Sequence, residues 1–157
     1  MENVKRLVEI LREYNYGIVT VESCTGGALA NAITDIPGAS KILKSSFITY
    51  SDEAKIKLGV PAETIRKYGV YSPETAEAMA NIGLEKGSGR PWISVGITGN
   101  LPGKAYVAIK TWFTDEEIRF LSVHLTVDTE GERPEAKQVV VDAVIRALLE
   151  LLETHMK

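Results

Sequence analysis

A short apolar run, Gly17-Ile18-Val19-Thr20-Val21, passes through Glu22-Ser23-Cys24-Thr25-Gly26-Gly27 into the small apolar residues Ala28, Leu29, Ala30, Ala32 and Ile33. A β-branched run bounded by glycine reads as a buried strand, and the segment over 25–34 has the spacing of a helix. A strand that turns at once into a helix commits the chain to packing helices on a sheet. The turn also concentrates chemistry. Ser23 carries a hydroxyl, Cys24 a thiol, and Gly26 and Gly27 let another group approach the backbone. The first amides of the following helix point into the turn and favour developing negative charge. A nucleophile beside an anion site is what acyl transfer requires. A plainer reading stands next to it, in which Ser23 or Thr25 only caps the helix.

The remaining segments extend the same pattern. Val4, Leu7, Val8, Leu11 and Tyr14 form one helical stripe before the first strand. Residues 47–50 read as a second strand, and Ser51-Asp52-Glu53 as a capped helix start. Ser72-Pro73-Glu74 is another helix start, with Ala76, Met79, Ala80, Gly83 and Leu84 on its buried face. A glycine-rich loop over 86–90 leads to the nearly continuous apolar run 92–98, expected as a central strand covered on both faces. Strands over 105–110 and 118–127 follow, joined through 114–117, so these last three are expected as antiparallel neighbours. Pro134 opens a final helix whose stripe runs through Ala136, Val139, Val140, Ala143, Val144, Ala147, Leu148, Leu151 and Leu152. The expected fold class is α/β, a three-layer α/β/α sandwich on a mixed parallel and antiparallel sheet.

Composition narrows the function classes. The 157 residues suit one domain, read as a single unit over 1–157, and the net charge of −3 argues against binding to nucleic acid or to an acidic membrane. A single cysteine excludes an internal disulfide framework and fits a cytoplasmic setting. No apolar run reaches the ~18 residues of a membrane span. With one cysteine and only His124 and His155, neither a zinc site nor a Ser-His-Asp triad is supported. No metal and no cofactor is expected. His124, on the strand face of Phe120 and Ser122, reads as structural. Serine can instead be activated by a lysine whose amine is kept neutral by burial. Lys55, one helical turn beyond the strand end at Tyr50, is the candidate, with Tyr50 as a relay to Ser23. The competing reading for Lys55 is a solvated surface lysine.

Five motifs in order give the chain a resemblance. Thr-Val-Glu-Ser-Cys-Thr-Gly-Gly at 20–27, Thr-Asp-Ile-Pro-Gly-Ala-Ser at 34–40, Phe-Ile-Thr-Tyr-Ser-Asp-Glu-Ala-Lys at 47–55, Leu-Gly-Val at 58–60 and Tyr-Gly-Val-Tyr-Ser at 68–72 resemble the CinA C-terminal domain family. Gly131-Glu132-Arg133 resembles that family's Gly-Asp-Arg. The resemblance covers almost the whole chain and implies the stand-alone form. It also implies an amidohydrolase converting nicotinamide mononucleotide and water to nicotinic acid mononucleotide and ammonia, in pyridine nucleotide salvage. Ser23 would be the nucleophile, with Tyr50 and Lys55 as its activating partners. Thr25, Gly26, Gly27, Thr98, Gly99 and Arg133 would contact substrate. A homo-oligomer acting on a small nucleotide is implied, with no organic cofactor.

Two departures bear on this. After Thr98-Gly99 the family has a longer Gly-Pro-rich loop, where this chain has only Asn100-Leu101-Pro102-Gly103 before Lys104. A shorter loop at a strand end predicts a more open or differently specific pocket, and Lys104 is the candidate to replace the family's loop lysine. Asp52 replaces the usual asparagine, and its charge opposes the neutral form of Lys55. The alternative expectation is a non-catalytic or altered-specificity nucleotide-binding module of the same family.

Overall fold

The strand-to-helix turns expected from the sequence are built around a sheet of five strands. The computed structural model describes residues 2–86, 92–114 and 118–155. Along the chain run α1 (Glu2–Glu13), β1 (Gly17–Glu22), α2 (Ala28–Thr34), a 3-10 turn (Ala39–Lys41) and β2 (Leu43–Ile48). Three helices follow, α3 (Asp52–Leu58), α4 (Ala62–Tyr68) and α5 (Pro73–Lys86). Then come β3 (Trp92–Gly99), β4 (Lys104–Thr114), β5 (Ile118–Asp128) and α6 (Arg133–His155). The spatial order is β2-β1-β3-β4-β5. β1 is parallel to both β2 and β3, whereas β3, β4 and β5 are antiparallel neighbours. The mixed three-layer α/β/α architecture is therefore as the sequence predicted.

Each face of the sheet has its own packing chemistry. On one face Ile18, Ile93, Val95, Ile97, Val107 and Ile109 meet Leu7 and Leu11 of α1, Leu29 and Ile33 of α2, and Val140, Val144 and Leu148 of α6. On the other face Val21, Val60, Met79 and Ile82 form a smaller apolar cluster, and beside it the contact of α5 with β3 and β4 is made by small side chains. Gly96 of β3 lies under Ala76 and Ala80 of α5, and Ala108 packs with the same pair. Ser94 donates to the Ala80 carbonyl at 2.6 Å, which satisfies its buried hydroxyl and pins α5 close to the strand. Residues 93–99 are all buried, as expected of a strand covered on both faces.

Several boundaries differ from the sequence reading. α2 begins at Ala28 rather than Thr25, because Gly26 and Gly27 take φ values of 59° and 94° in the left-handed region. Tyr14 leaves the α1 stripe and is exposed, since the helix ends at Glu13 and Asn15 turns with φ 59°. Val139 faces solvent, and the buried side of α6 runs instead through Val140, Val141, Val144 and Ile145. Ser51 and Ser72 cap α3 and α5 as expected, accepting from the amides of Ala54 and Thr75. Most of the glycine-rich loop and the connection at 115–117 lie outside the described residues. Among the described residues no helix is long and apolar enough to cross a membrane.

The close approach of α5 to β3 yields a first prediction. A Cβ built on Gly96 would fall 2.3 Å from the Ala76 carbonyl oxygen and 2.7 Å from the Ala80 nitrogen. Both are backbone atoms, so the helix as a whole must move. Gly96→Ala is expected to lower unfolding stability by about 1–3 kcal/mol, the usual cost of overpacking. Urea denaturation with an unchanged m-value checks this, and an unaltered midpoint would contradict it.

Candidate active site

In open α/β sheets ligands bind where successive connections leave the sheet in opposite directions, beyond the carboxyl ends of the strands. Here β1 is followed in the chain by β2 on one side and by β3 on the other, so the switch point lies at the ends of β1 and β3. Ser23 follows β1, Thr49 and Tyr50 follow β2, and Gly99 closes β3. A cleft of about 120 Å³ opens there, lined by Ser23, Cys24, Gly26, Tyr50, Asp52, Tyr71, Gly99 and Asn100, with Arg133 and Lys137 from α6.

Ser23 and Lys55 meet directly. Lys55 is 1% exposed although it is a lysine on a seven-residue helix. Its Nζ lies 2.9 Å from Ser23 Oγ, 2.6 Å from the Thr49 carbonyl oxygen and 3.2 Å from the Tyr50 carbonyl oxygen. The solvated-surface reading of Lys55 is thus excluded. Burial lowers its pKa, and the charge of Asp52 is the main influence acting against that lowering. In the neutral amine two N–H groups donate to the two carbonyls. As an ammonium Nζ donates to Ser23 Oγ as well; once neutral, it keeps a lone pair to which the Ser23 hydroxyl can donate. No relay lies between the two side chains. Tyr50 joins the arrangement through its carbonyl, while its ring is 61% exposed on the rim of the cleft.

The turn itself is held by a residue that the sequence reading did not single out. Strand alternation sends Ser23 toward α3 and Glu22 toward α2, on the opposite face. Glu22 is fully buried. Its Oε1 accepts from Thr25 Oγ1 at 2.7 Å and from the Leu29 amide at 3.0 Å. Its Oε2 accepts from Thr20 Oγ1 at 3.0 Å and from the Ala30 amide at 3.1 Å. This corrects two expectations. Neither Ser23 nor Thr25 caps α2, whose N-cap is Gly27 and has no capping side chain. The first amides of α2 are also not open to an anion, because Ala28 donates to the Thr25 carbonyl and Leu29 and Ala30 to the Glu22 carboxylate. A glutamate closing a largely apolar strand was the only signal, and because a strand-end charge is ordinarily solvated its burial was not legible in the sequence.

The other candidates separate into cleft and scaffold. Gly26 and Gly99 line the cleft. Gly27 packs against Ile48 instead, and Thr25 is turned toward Glu22. Thr98 is buried and donates to the Val70 carbonyl at 2.9 Å, fastening the 68–72 turn to the end of β3. Arg133 reaches the cleft while its Nε donates to the Leu101 carbonyl at 3.1 Å. Lys137, one helical turn later on α6, also lines the cleft and was absent from the sequence candidates. Lys104 does not line it, and pairs with Asp128 at 2.6 Å. Burial pushes the Cys24 thiol up to about 11, with its own amide, Lys55 and the Thr25 amide pulling it down, so the sulfur stays protonated near neutral pH. His124 is part-exposed, 3.7 Å from Glu77, and stands apart from the cleft. Among the described residues no group of three or more His, Cys, Asp or Glu is placed to hold a metal.

An α/β sandwich with a buried serine–lysine pair at its switch point defines the class to which this domain is compared. The sequence model of the CinA C-terminal domain matches residues 2–152, and the chain belongs to that family. A CinA-like protein of Kosmotoga olearia is 36% identical over 156 residues, covering 93% of this chain and 37% of that protein. A CinA-like protein of Chloroherpeton thalassium is 50% identical over 93 residues, 58% of this chain and 22% of that protein. The chain therefore spans well under half the length of these curated relatives. Among solved structures, the competence/damage inducible protein CihA from Agrobacterium tumefaciens superposes with a TM-score of 0.79 at 28% identity, over 96% of this chain and 93% of that one. A competence or damage-inducible protein from Enterobacter asburiae gives 0.75 at 27%, over 98% and 96% of the two chains.

The burial of Lys55 predicts a pH dependence of stability. Its folded pKa lies below the unfolded value of 10.5. Between the two values the unfolded chain holds a proton that the folded chain lacks. Stability therefore rises with pH across that window, and the gain is lost as pH falls through the folded value. In Lys55→Met this rise is expected to disappear. Urea midpoints measured from neutral pH upward compare the two proteins, and parallel slopes would return Lys55 to an ordinary pKa.

Proposed function

We propose that the domain is an amidohydrolase in which Ser23 is the nucleophile and Lys55 its base, acting on nicotinamide mononucleotide. The observation that carries this reading is the 2.9 Å contact between Ser23 Oγ and the buried Lys55 Nζ. Ser23 Oγ attacks the carboxamide carbon while its proton passes to Lys55 Nζ. The oxyanion of the tetrahedral intermediate needs donors. Within the turn the Gly26 and Ala28 amides bond to the Ser23 and Thr25 carbonyls, and the Leu29 and Ala30 amides to Glu22. The Cys24 amide, next to the nucleophile, is the donor we assign to the oxyanion. Lys55 returns its proton to the departing nitrogen, the C–N bond breaks and ammonia leaves. Water, deprotonated by Lys55, then attacks the acyl-serine, and the acid product departs as Ser23 regains its proton.

The cleft is smaller than the ~300 Å³ at the lower end of typical ligand pockets. It admits the reacting amide and leaves the rest of a nucleotide on the rim. Arg133 and Lys137 supply two cations there for a phosphate. The short turn after β3 contributes Asn100 and Leu101 to the wall of the cleft. Nicotinamide mononucleotide as the substrate rests on the family resemblance and on this match of a cationic rim to a carboxamide-cleaving centre.

Ammonia release from purified protein with nicotinamide mononucleotide is the direct test. Ser23→Ala is expected to abolish it and Cys24→Ser to retain most of it; the reverse pattern would overturn the assignment. Charge removal on the rim gives a separate expectation. Lys137→Met is expected to raise KM about tenfold with kcat nearly unchanged, as loss of one charged hydrogen bond to a remote group would. A fall confined to kcat would place Lys137 at the chemistry instead.

A further inference from the structure

Glu22 is a fully buried carboxylate adjacent to the nucleophile, and the chemistry above gives it no proton to move. Its surroundings are organised around it. The turn it faces contains Gly26 and Gly27, both at positive φ, the residues least able to restrain a backbone by themselves. No side chain at the N-cap of α2 fixes the turn either. On the chain side, the Ser23 amide donates to the Ile97 carbonyl at 3.0 Å, anchoring the start of the turn to β3. On the far side, Thr25 Oγ1 and the amides of Leu29 and Ala30 all converge on the same carboxylate. The segment from 23 to 27 is thus tethered before Ser23 by the sheet and after it by Glu22.

We propose that Glu22 is the positioning residue of the nucleophile: by clasping Thr25 and the first turn of α2 it fixes where Ser23 Oγ and the Cys24 amide point. This rests on Ser23 being the nucleophile, as read above. Glu22 lies on the sheet face away from the cleft, so it acts through the turn and not on the reacting atoms. A carboxylate suits the task because all four of its neighbours are donors. A carboxamide would bring its own N–H groups against at least one of them.

The hydroxyls of Thr25 and Thr20 provide the discriminating comparison. Each gives Glu22 one hydrogen bond, but Thr25 lies in the turn and Thr20 lies back along β1. A carboxylate that merely stabilised α2 would make the two equivalent. The readout is the rate at which a fluorophosphonate labels Ser23. In that reaction the Oγ–P bond forms, the P–F bond breaks, fluoride leaves and the serine proton passes to Lys55. Glu22→Gln is expected to slow labelling about a hundredfold, the scale of a small misplacement of a reacting group. Thr25→Val is expected to slow it about tenfold, the equivalent of one hydrogen bond. Thr20→Val should label at the parental rate despite a lowered melting temperature.

Circular dichroism establishes that each variant is folded, and if Glu22→Gln is not, the threonine pair decides alone. Parental labelling rates in Glu22→Gln and Thr25→Val, or equal slowing in Thr25→Val and Thr20→Val, would overturn the proposal. A parental protein that labels but releases no ammonia from nicotinamide mononucleotide would sink only the substrate reading. A parental protein that does not label would remove Ser23 as nucleophile, and Glu22 as its positioner with it.

Discussion

The carboxyl end of β1 places a carboxylate and an amine in the protein interior, one on each face of the sheet. Glu22 and Ser23 are consecutive, so strand alternation sends their side chains to opposite layers. Glu22 is taken up by α2, and Ser23 by Lys55 of α3. Burying either ionisable group without partners would cost several kcal/mol. Four donors surround the carboxylate, and two carbonyls with one hydroxyl surround the amine. The position of α2, the exit of β2 and the start of α3 follow from satisfying those two groups. The rest of the sandwich supplies the apolar surroundings that make satisfying them obligatory.

In the proposed mechanism the same burial distinguishes the two candidate nucleophiles at this turn. Adjacent Ser23 and Cys24 both reach the cleft. A thiol attacks as thiolate, and desolvation raises the Cys24 pKa to about 11. An alcohol need not ionise beforehand. It needs a base within hydrogen-bond distance at the moment of attack, and Lys55 is there. Low dielectric thus raises the pKa of the thiol and lowers that of the lysine through one physical effect, the penalty on whichever form is charged. Asp52 on the rim opposes that effect from a solvated position, where its field is screened.

The short connection after β3 is compact. Gly103 and Thr129 exchange hydrogen bonds of 2.7–2.9 Å between their backbone and side-chain groups, and Arg133 ties Leu101 to the first turn of α6. The wall of the cleft on this side is therefore joined to the helix that brings Arg133 and Lys137. The rim of the cleft carries Arg133 and Lys137 together with Tyr50 and Tyr71.

Local pattern was enough for much of this. Alternating hydrophobic periods, the serine caps at 51 and 72, and short connections between the last strands determine a mixed α/β sandwich, because each depends on residues close in sequence. The motif order was enough to indicate the family, and the resemblance drew attention to Ser23 and Lys55, which the fold brings into contact. Sequence did not reveal that Thr25 and Gly27 support the turn while Gly26 faces the cleft, nor that Tyr50 contributes its carbonyl. Those distinctions depend on which way a left-handed turn points, which neighbouring strands and helices decide. Lys137 and Glu22 were missed for the same reason. One looks like a solvated helical lysine until α6 is set beside the cleft, and the other like a strand-end charge until α2 is folded over it. Sequence alone determined which groups can do chemistry. Only the tertiary structure decided which of them are dry, because burial is a property of what packs against a residue and not of the residue itself.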